Sequence, residues 1–128
     1  MIILAIDPGM TTGYAVIDEL GNLLESGNLL PEDLDNSILT YKKYQDPTTC
    51  EVVIEYTPIP TQSRMNRRLK EVTGKIGSMF PNAVYVTPGV WKSAPIAKRF
   101  PFPFPHGTPH QKDAFRMGIH HMMFRRIK

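Results

Sequence analysis

The chain has a single cysteine. Cys50 therefore cannot close an internal disulfide, which fits a reducing cytoplasm, and its place just before an apolar run suits a packed thiol. No apolar run is long enough to span a bilayer, and the basic start, apolar centre and small-residue exit of a secretory leader are missing. No membrane is expected among its partners. Acids are scarce in one half of the chain and bases in the other. Residues 57–128 set thirteen basic groups against Glu71 and Asp113 alone, a balance of +11, whereas residues 1–56 set only Lys42 and Lys43 against ten acids, a balance of −8. Together these give the overall +3. A domain that folds both halves together presents a basic face, which suits a polyanion. The plainer alternative is an ordinary solvated surface with a skewed order of charges. A length of 128 residues is expected to give one domain, residues 1–128, with a real core and no room for a second.

What is present begins with Ile2-Ile3-Leu4-Ala5-Ile6, five apolar residues leading into Asp7-Pro8-Gly9. A run without period-two alternation reads as a strand buried on both faces, hence a central one. Pro8 ends the ladder and Gly9 permits a tight turn. Asp7 is then either a turn-initiating residue or a metal-binding or catalytic carboxylate, since an ionised group at the end of a central strand is costly without a partner.

Gly13–Ile17 and Leu23–Gly27, joined at Leu20-Gly21-Asn22, complete an antiparallel meander of three strands. From Pro31 the spacing of Leu34, Ile38 and Tyr41 predicts a helix that ends at Gln45-Asp46-Pro47. Val52-Val53-Ile54 is a second buried run that closes on a carboxylate, Glu55. A strand after a helix is a crossover, so it should lie parallel to the first strand and beside it, bringing Asp7 and Glu55 together. After a polar loop, Met65, Leu69, Val72, Ile76 and Met79 mark a helix over Ser63–Phe80, with Gly74 and Gly77 expected to allow a close helix approach, within the core in preference to across a dimer. Arg64, Arg67, Arg68 and Lys70 on this helix, with Lys92 further on, are candidate phosphate contacts and imply an affinity for a nucleic-acid polyanion that falls steeply with salt. Ala83–Val86 is a short last strand, and Trp91 a packing anchor. The proline-rich stretch 95–109 reads as an extended loop whose phenylalanines pack on the domain. Thr108 is the N-cap and Pro109 the first residue of a final helix, which sets His110 and Asp113 on one face. His120 and His121 read as helix-surface residues.

Asp7, Glu55 and Asp113 would repel one another if gathered, and such a cluster calls for a cation. Magnesium suits oxygen ligands, and a pair of such ions clamps the in-line attack of water on a phosphodiester. His110 is a candidate ligand, proton shuttle or orienting donor.

Three meandering strands, helix, strand, helix, strand, helix, with acids on the first strand, the fourth strand and the last helix, resemble the ribonuclease H-like superfamily. Within it, Ile6-Asp7-Pro8-Gly9 with Thr12-Gly13-Tyr14, Val53-Ile54-Glu55 and His110-Gln111-Lys112-Asp113-Ala114 resemble the RuvC family of Holliday-junction resolvases. The resemblance implies an α/β ribonuclease H-like fold, a mixed five-stranded sheet with helices on both faces. It also implies a homodimer that nicks four-way junctions in pairs with two Mg2+ or Mn2+ ions per active site, in a bacterial or phage-infected cytoplasm. By resemblance, Asp7, Glu55, Asp113 and His110 are the catalytic and metal-binding residues, and the helix from Ser63 faces the dimer or the junction. The short length and the proline-rich segment depart from the bacterial pattern and fit a compact bacteriophage member.

Three rivals stand beside this reading. A nuclease of the same fold could act on flaps or branched DNA without strict junction preference, because shape recognition has no compact signature. Asp7–Gly13 also resembles the first phosphate loop of actin-like sugar and acetate kinases, but those need a second domain. A non-catalytic nucleic-acid-binding module would not need competent side chains at all four positions.

Overall fold

The computed structural model describes residues 1–56, 63–87, 102–103 and 107–125. Strands β1 (Ile2–Asp7), β2 (Thr12–Ile17) and β3 (Leu23–Leu29) form the expected antiparallel meander. The β2–β3 turn is built on Asp18, whose carboxylate accepts the N–H groups of Leu20 and Asn22 at 2.9 Å each. Gly21 supplies the positive φ of 88° that the reversal needs.

The helix expected from Pro31 to Gln45 does not form as one piece. Two 3-10 turns, Pro31–Asn36 and Ile38–Thr40, lead into a one-turn helix α1 (Lys42–Gln45). Ser37 interrupts the run with an extended backbone, φ −104° and ψ 178°. Its hydroxyl donates to the Leu34 carbonyl at 2.8 Å and accepts the Leu39 N–H at 3.2 Å. Short polar side chains of this kind offer the backbone local partners that compete with the helix. The buried stripe is consequently Leu34, Leu39 and Tyr44, while Ile38 is half-buried and Tyr41 exposed.

β4 (Cys50–Glu55) lies parallel to β1, and β5 (Val84–Val86) parallel to β4. The sheet is mixed and five-stranded, in the order β3-β2-β1-β4-β5. Helix α2 (Arg64–Met79) is the crossover between β4 and β5, capped by the Ser63 hydroxyl, which accepts the Asn66 N–H at 3.0 Å. Helix α3 (Pro109–Arg125) is the last element.

Successive strand residues point to opposite faces, and the core divides accordingly. Leu4, Ile6, Tyr14, Val16, Val52 and Ile54 pack with Leu34, Leu39, Val72 and Ile76 under α2 and the 31–45 connection. Ile3, Ala5, Ala15, Ile17 and Val53 pack with Ala114, Phe115, Met117 and Ile119 of α3. Both faces of β1 are covered, which is why its sequence shows no alternation. Cys50 is buried as expected, and burial pushes its thiol up to about 11, so it stays protonated and inert near neutral pH.

Three further expectations need correction or completion. Gly74 makes no close approach, for a Cβ there would meet nothing within 4 Å, while Gly77 lies under the Tyr85 hydroxyl. His120 is not a surface residue. It is 8% exposed and stacks on Phe124 at 4.2 Å, and burial lowers its pKa. His121 instead meets Glu51, Nε2 to Oε1, at 2.7 Å. Trp91, Lys92 and most of the proline-rich segment lie outside the described residues, although Phe102 packs edge-on against Phe115 at 5.6 Å. Among the described residues no helix is long and apolar enough to cross a membrane.

Candidate active site

β1 and β4 run side by side with Ile6 opposite Ile54, so Asp7 and Glu55 leave the sheet at the same level. Asp7 continues the row of Ile3 and Ala5, and Glu55 that of Val53, which places both carboxylates on the face covered by α3. Asp7 is 7% and Glu55 9% exposed, and Oε2 of Glu55 is shut off from solvent. Like charges so placed raise the free energy of the ionised pair, an arrangement more useful for chemistry than for stability. The turn that follows Asp7 is held by Thr12, whose buried hydroxyl meets both the N–H and the carbonyl of Gly9 at 3.3 Å.

The other half of the site comes from the start of α3. Thr108 and Gln111 cap it reciprocally. The Gln111 N–H donates to Thr108 Oγ1 at 3.2 Å, and the Thr108 N–H donates to Gln111 Oε1 at 2.9 Å. This first turn is seated on Gly13. A Cβ at Gly13 would come 2.4 Å from the carbonyl carbon of His110, so only glycine lets the helix approach this closely. Gly13 is also the partner of Asp7 across the β1–β2 ladder. The close approach therefore sets His110 over Asp7, with Nδ1 3.1 Å from Oδ2.

Against an ionised Asp7, which can only accept, Nδ1 is the donor, and the neutral tautomer that makes this bond leaves Nε2 unprotonated. The His110 side chain is 46% exposed against 11% for Asp7. The imidazole thus links a buried carboxylate to the surface. Asp113 follows one turn later, half-buried, its position set by the seating of the helix rather than by the sheet.

The structure brings Asp7, Glu55 and His110 to one end of the sheet. It does not close these and Asp113 into a ligand cage: among the described residues, no three His, Cys, Asp or Glu side chains lie close enough to hold a metal ion. The donor set nevertheless fits magnesium, which keeps several waters and binds through one or two carboxylates plus substrate phosphates.

The crossover carries α2 back from the Glu55 end of β4, so Arg64, Arg67 and Arg68 occupy its first turns at the site's end of the sheet. With Lys70 they are exposed, whereas Lys75 is engaged with Asp35 at 2.6 Å. A hollow of about 260 Å3 lined by Tyr44, Cys50, Val52 and Phe80 opens at the other end of the sheet and takes no part in this site. Sequence reasoning missed Gln111 and Asn28, whose hydrogen bonds hold α3 to the sheet. The Thr108-x-x-Gln111 spacing is a readable capping signal, whereas Asn28 meets Gln111 across 83 residues with no local sign.

No family model matches the sequence, and no curated protein matches it. Solved structures share its fold, two RuvC structures among them. RuvC of T. thermophilus in complex with Holliday junction substrate superposes with a TM-score of 0.74 at 17% identity, over 99% of this chain and 96% of that one. A second structure, of Thermus thermophilus RuvC, gives 0.70 at 15% identity over the same shares. The likeness is one of fold, and it runs through nearly the whole of both chains: the protein has the RuvC-like, ribonuclease H-like architecture.

Proposed function

We propose that residues 1–128 form one metal-dependent, structure-selective endodeoxyribonuclease domain that resolves four-way DNA junctions. The observation that carries this reading is the placement of Asp7 and Glu55 at the matched ends of two parallel central strands, with the His110 imidazole on Asp7. A fold shared with a RuvC bound to Holliday junction substrate supports the choice of DNA structure.

In the reaction, water attacks phosphorus, the bond from phosphorus to the 3′ oxygen breaks, and that oxygen leaves with a proton, giving a 5′-phosphate and a 3′-hydroxyl. Asp7, Glu55 and Asp113 would hold Mg2+ or Mn2+, which supplies water activation and charge neutralisation at the leaving oxygen. Asp7 also fixes the imidazole by accepting the Nδ1 proton. Nε2 is then presented toward solvent as a group able to exchange a proton with the reacting water near neutral pH. Arg64, Arg67, Arg68, Lys70 and Lys92 bind backbone phosphates. Two copies acting together would place two such sites on the two strands to be cut.

The test is cleavage of labelled DNA in magnesium, comparing a four-way junction with a flap, a nicked duplex and a linear duplex. Paired, symmetric nicks in the four-way junction alone are expected. Equal or faster cutting of the flap or nicked duplex would replace junction resolution with general branched-DNA cleavage by the same site.

A further inference from the structure

His110 reaches Asp7 from a helix whose first turn is tied to the far edge of the sheet by a ring of side chains. Asn28, on edge strand β3, bridges both members of the α3 cap. Its Oδ1 accepts the Thr108 hydroxyl at 2.8 Å, and its Nδ2 donates to Gln111 Oε1 at 3.0 Å. Gln111 in turn donates through Nε2 to the Ser26 hydroxyl at 3.1 Å, and Ser26 donates to the Tyr14 carbonyl at 3.0 Å. Gln111 Oε1 thereby takes two donors, the Thr108 N–H and the Asn28 amide, so its orientation is fixed from both sides.

The register makes this ring relevant to the site. Asn28 pairs with Gly13 across β3–β2, and Gly13 pairs with Asp7 across β2–β1. Asn28, Gly13 and Asp7 therefore form one line across the sheet. The first turn of α3 lies along that line, clamped at Asn28, seated at Gly13 and bonded to Asp7 through His110. A helix needs only its own cap to start. The extra bonds to an exposed strand edge, where water could serve each group as well, fix where the turn sits on the sheet, not whether it forms.

We infer that Asn28 and Gln111 are positioning residues for the reaction, holding the α3 turn so that His110 Nδ1 faces Asp7 and Nε2 faces the substrate. The inference rests on the role given to the Asp7–His110 pair above. Neither residue touches the reacting atoms. Both act through the placement of the imidazole, to which rates of this kind are sensitive at the scale of an ångström.

The test uses the full chain with Asn28→Ala and Gln111→Met, the latter keeping length and losing every hydrogen bond. The primary readout is the tautomer of His110, read from its ring nitrogen shifts at about pH 8, where imidazole is neutral. Wild type is expected to hold the Nδ1–H form. Both variants are expected to shift toward the Nε2–H form while their thermal unfolding stays cooperative, and to cut the junction about tenfold more slowly with unchanged junction affinity. Should Gln111→Met fail to fold for loss of its cap, Asn28→Asp supplies the same test, since it keeps the acceptor for Thr108 and turns the bond to Gln111 into a clash of acceptors. A folded Asn28→Ala or Asn28→Asp variant with the wild-type His110 signature would overturn the inference. A wild-type protein in the Nε2–H form would overturn the Asp7–His110 contact on which it rests. The tautomer is read without DNA, so a shift on substitution in a protein that cuts no junction would uphold the clamp and refute the proposed substrate.

Discussion

Asp7→Asn is expected to lower the rate of DNA cleavage by at least about a thousandfold, equivalent to about 4 kcal/mol of barrier, while leaving the fold intact. The amide has the shape of the carboxylate and lacks its charge. It still offers an oxygen to the Nδ1 proton of His110, so the ring stays over residue 7 and the contact now read at 3.1 Å survives in form. What disappears is half of the paired negative charge at the ends of β1 and β4. Asp7 and Glu55 are both buried at the same level of adjacent strands, so removing one charge relieves repulsion. The variant is therefore expected to unfold at the wild-type temperature or slightly above it, the usual exchange of stability against activity at such sites. Junction affinity should be unchanged or higher, since a negative charge has been taken from the surface proposed to meet DNA phosphates. Rate, thermal midpoint and affinity measured together check this. A variant that cuts within tenfold of wild type would remove Asp7 from the chemistry.

Gly13→Ala is expected to have the largest effect among substitutions outside the acids. Its Cβ would stand 2.4, 2.5 and 2.7 Å from the carbonyl carbon, carbonyl oxygen and Cβ of His110. These are mostly backbone atoms of a helix pinned along its length by Ala114, Phe115, Met117 and Ile119, so no rotamer change relieves the clash. The helix must lift from the sheet, at a cost of about 3 kcal/mol, or a fall of roughly 10 °C in the thermal midpoint for a chain of this size. Lifting it also draws His110 away from Asp7, so the surviving folded fraction should be nearly inactive. Gly118→Ala is the informative contrast. Its Cβ would meet the Ile17 Cδ1, the far end of a side chain, at 2.4 Å and the Ala5 Cβ at 3.1 Å, with no backbone atom among its near neighbours, and it lies two turns from His110. Lower stability with retained activity in Gly118→Ala, against loss of both in Gly13→Ala, is the expected pair of results in thermal unfolding and cleavage assays. Full activity in Gly13→Ala would show that the seating of α3 does not matter to the site.

These positions also show what the sequence makes legible. β1 and β4 are readable because a strand buried on both faces must be apolar throughout, and the carboxylate that closes each run then marks the strand end. Their parallel pairing follows from the crossover rule, and with it the meeting of Asp7 and Glu55. The cap of α3 is readable from Thr108 and Pro109. The region 31–45 is not, since the apolar spacing of Leu34 and Ile38 suits a helix equally well, and only the local bonds of Ser37 decide against it. The burial of His120 was hidden because α3 is apolar on more than one side of its surface toward the sheet. The Asn28 clamp joins residues about eighty positions apart, which no local pattern reports. The distance from Asp113 to the other acids depends on how α3 sits on Gly13, a tertiary fact that helix periodicity alone does not contain.

The most direct measurement of the central claim is a time course of a labelled four-way junction with the wild-type protein in magnesium, in excess chelator, and with Asp7→Asn in magnesium, followed by DNA ligase on the products. The account predicts nicks in the first reaction only, with 5′-phosphate ends that ligase seals. Cutting that persists in chelator or in Asp7→Asn, or nicks that ligase cannot seal, would contradict it.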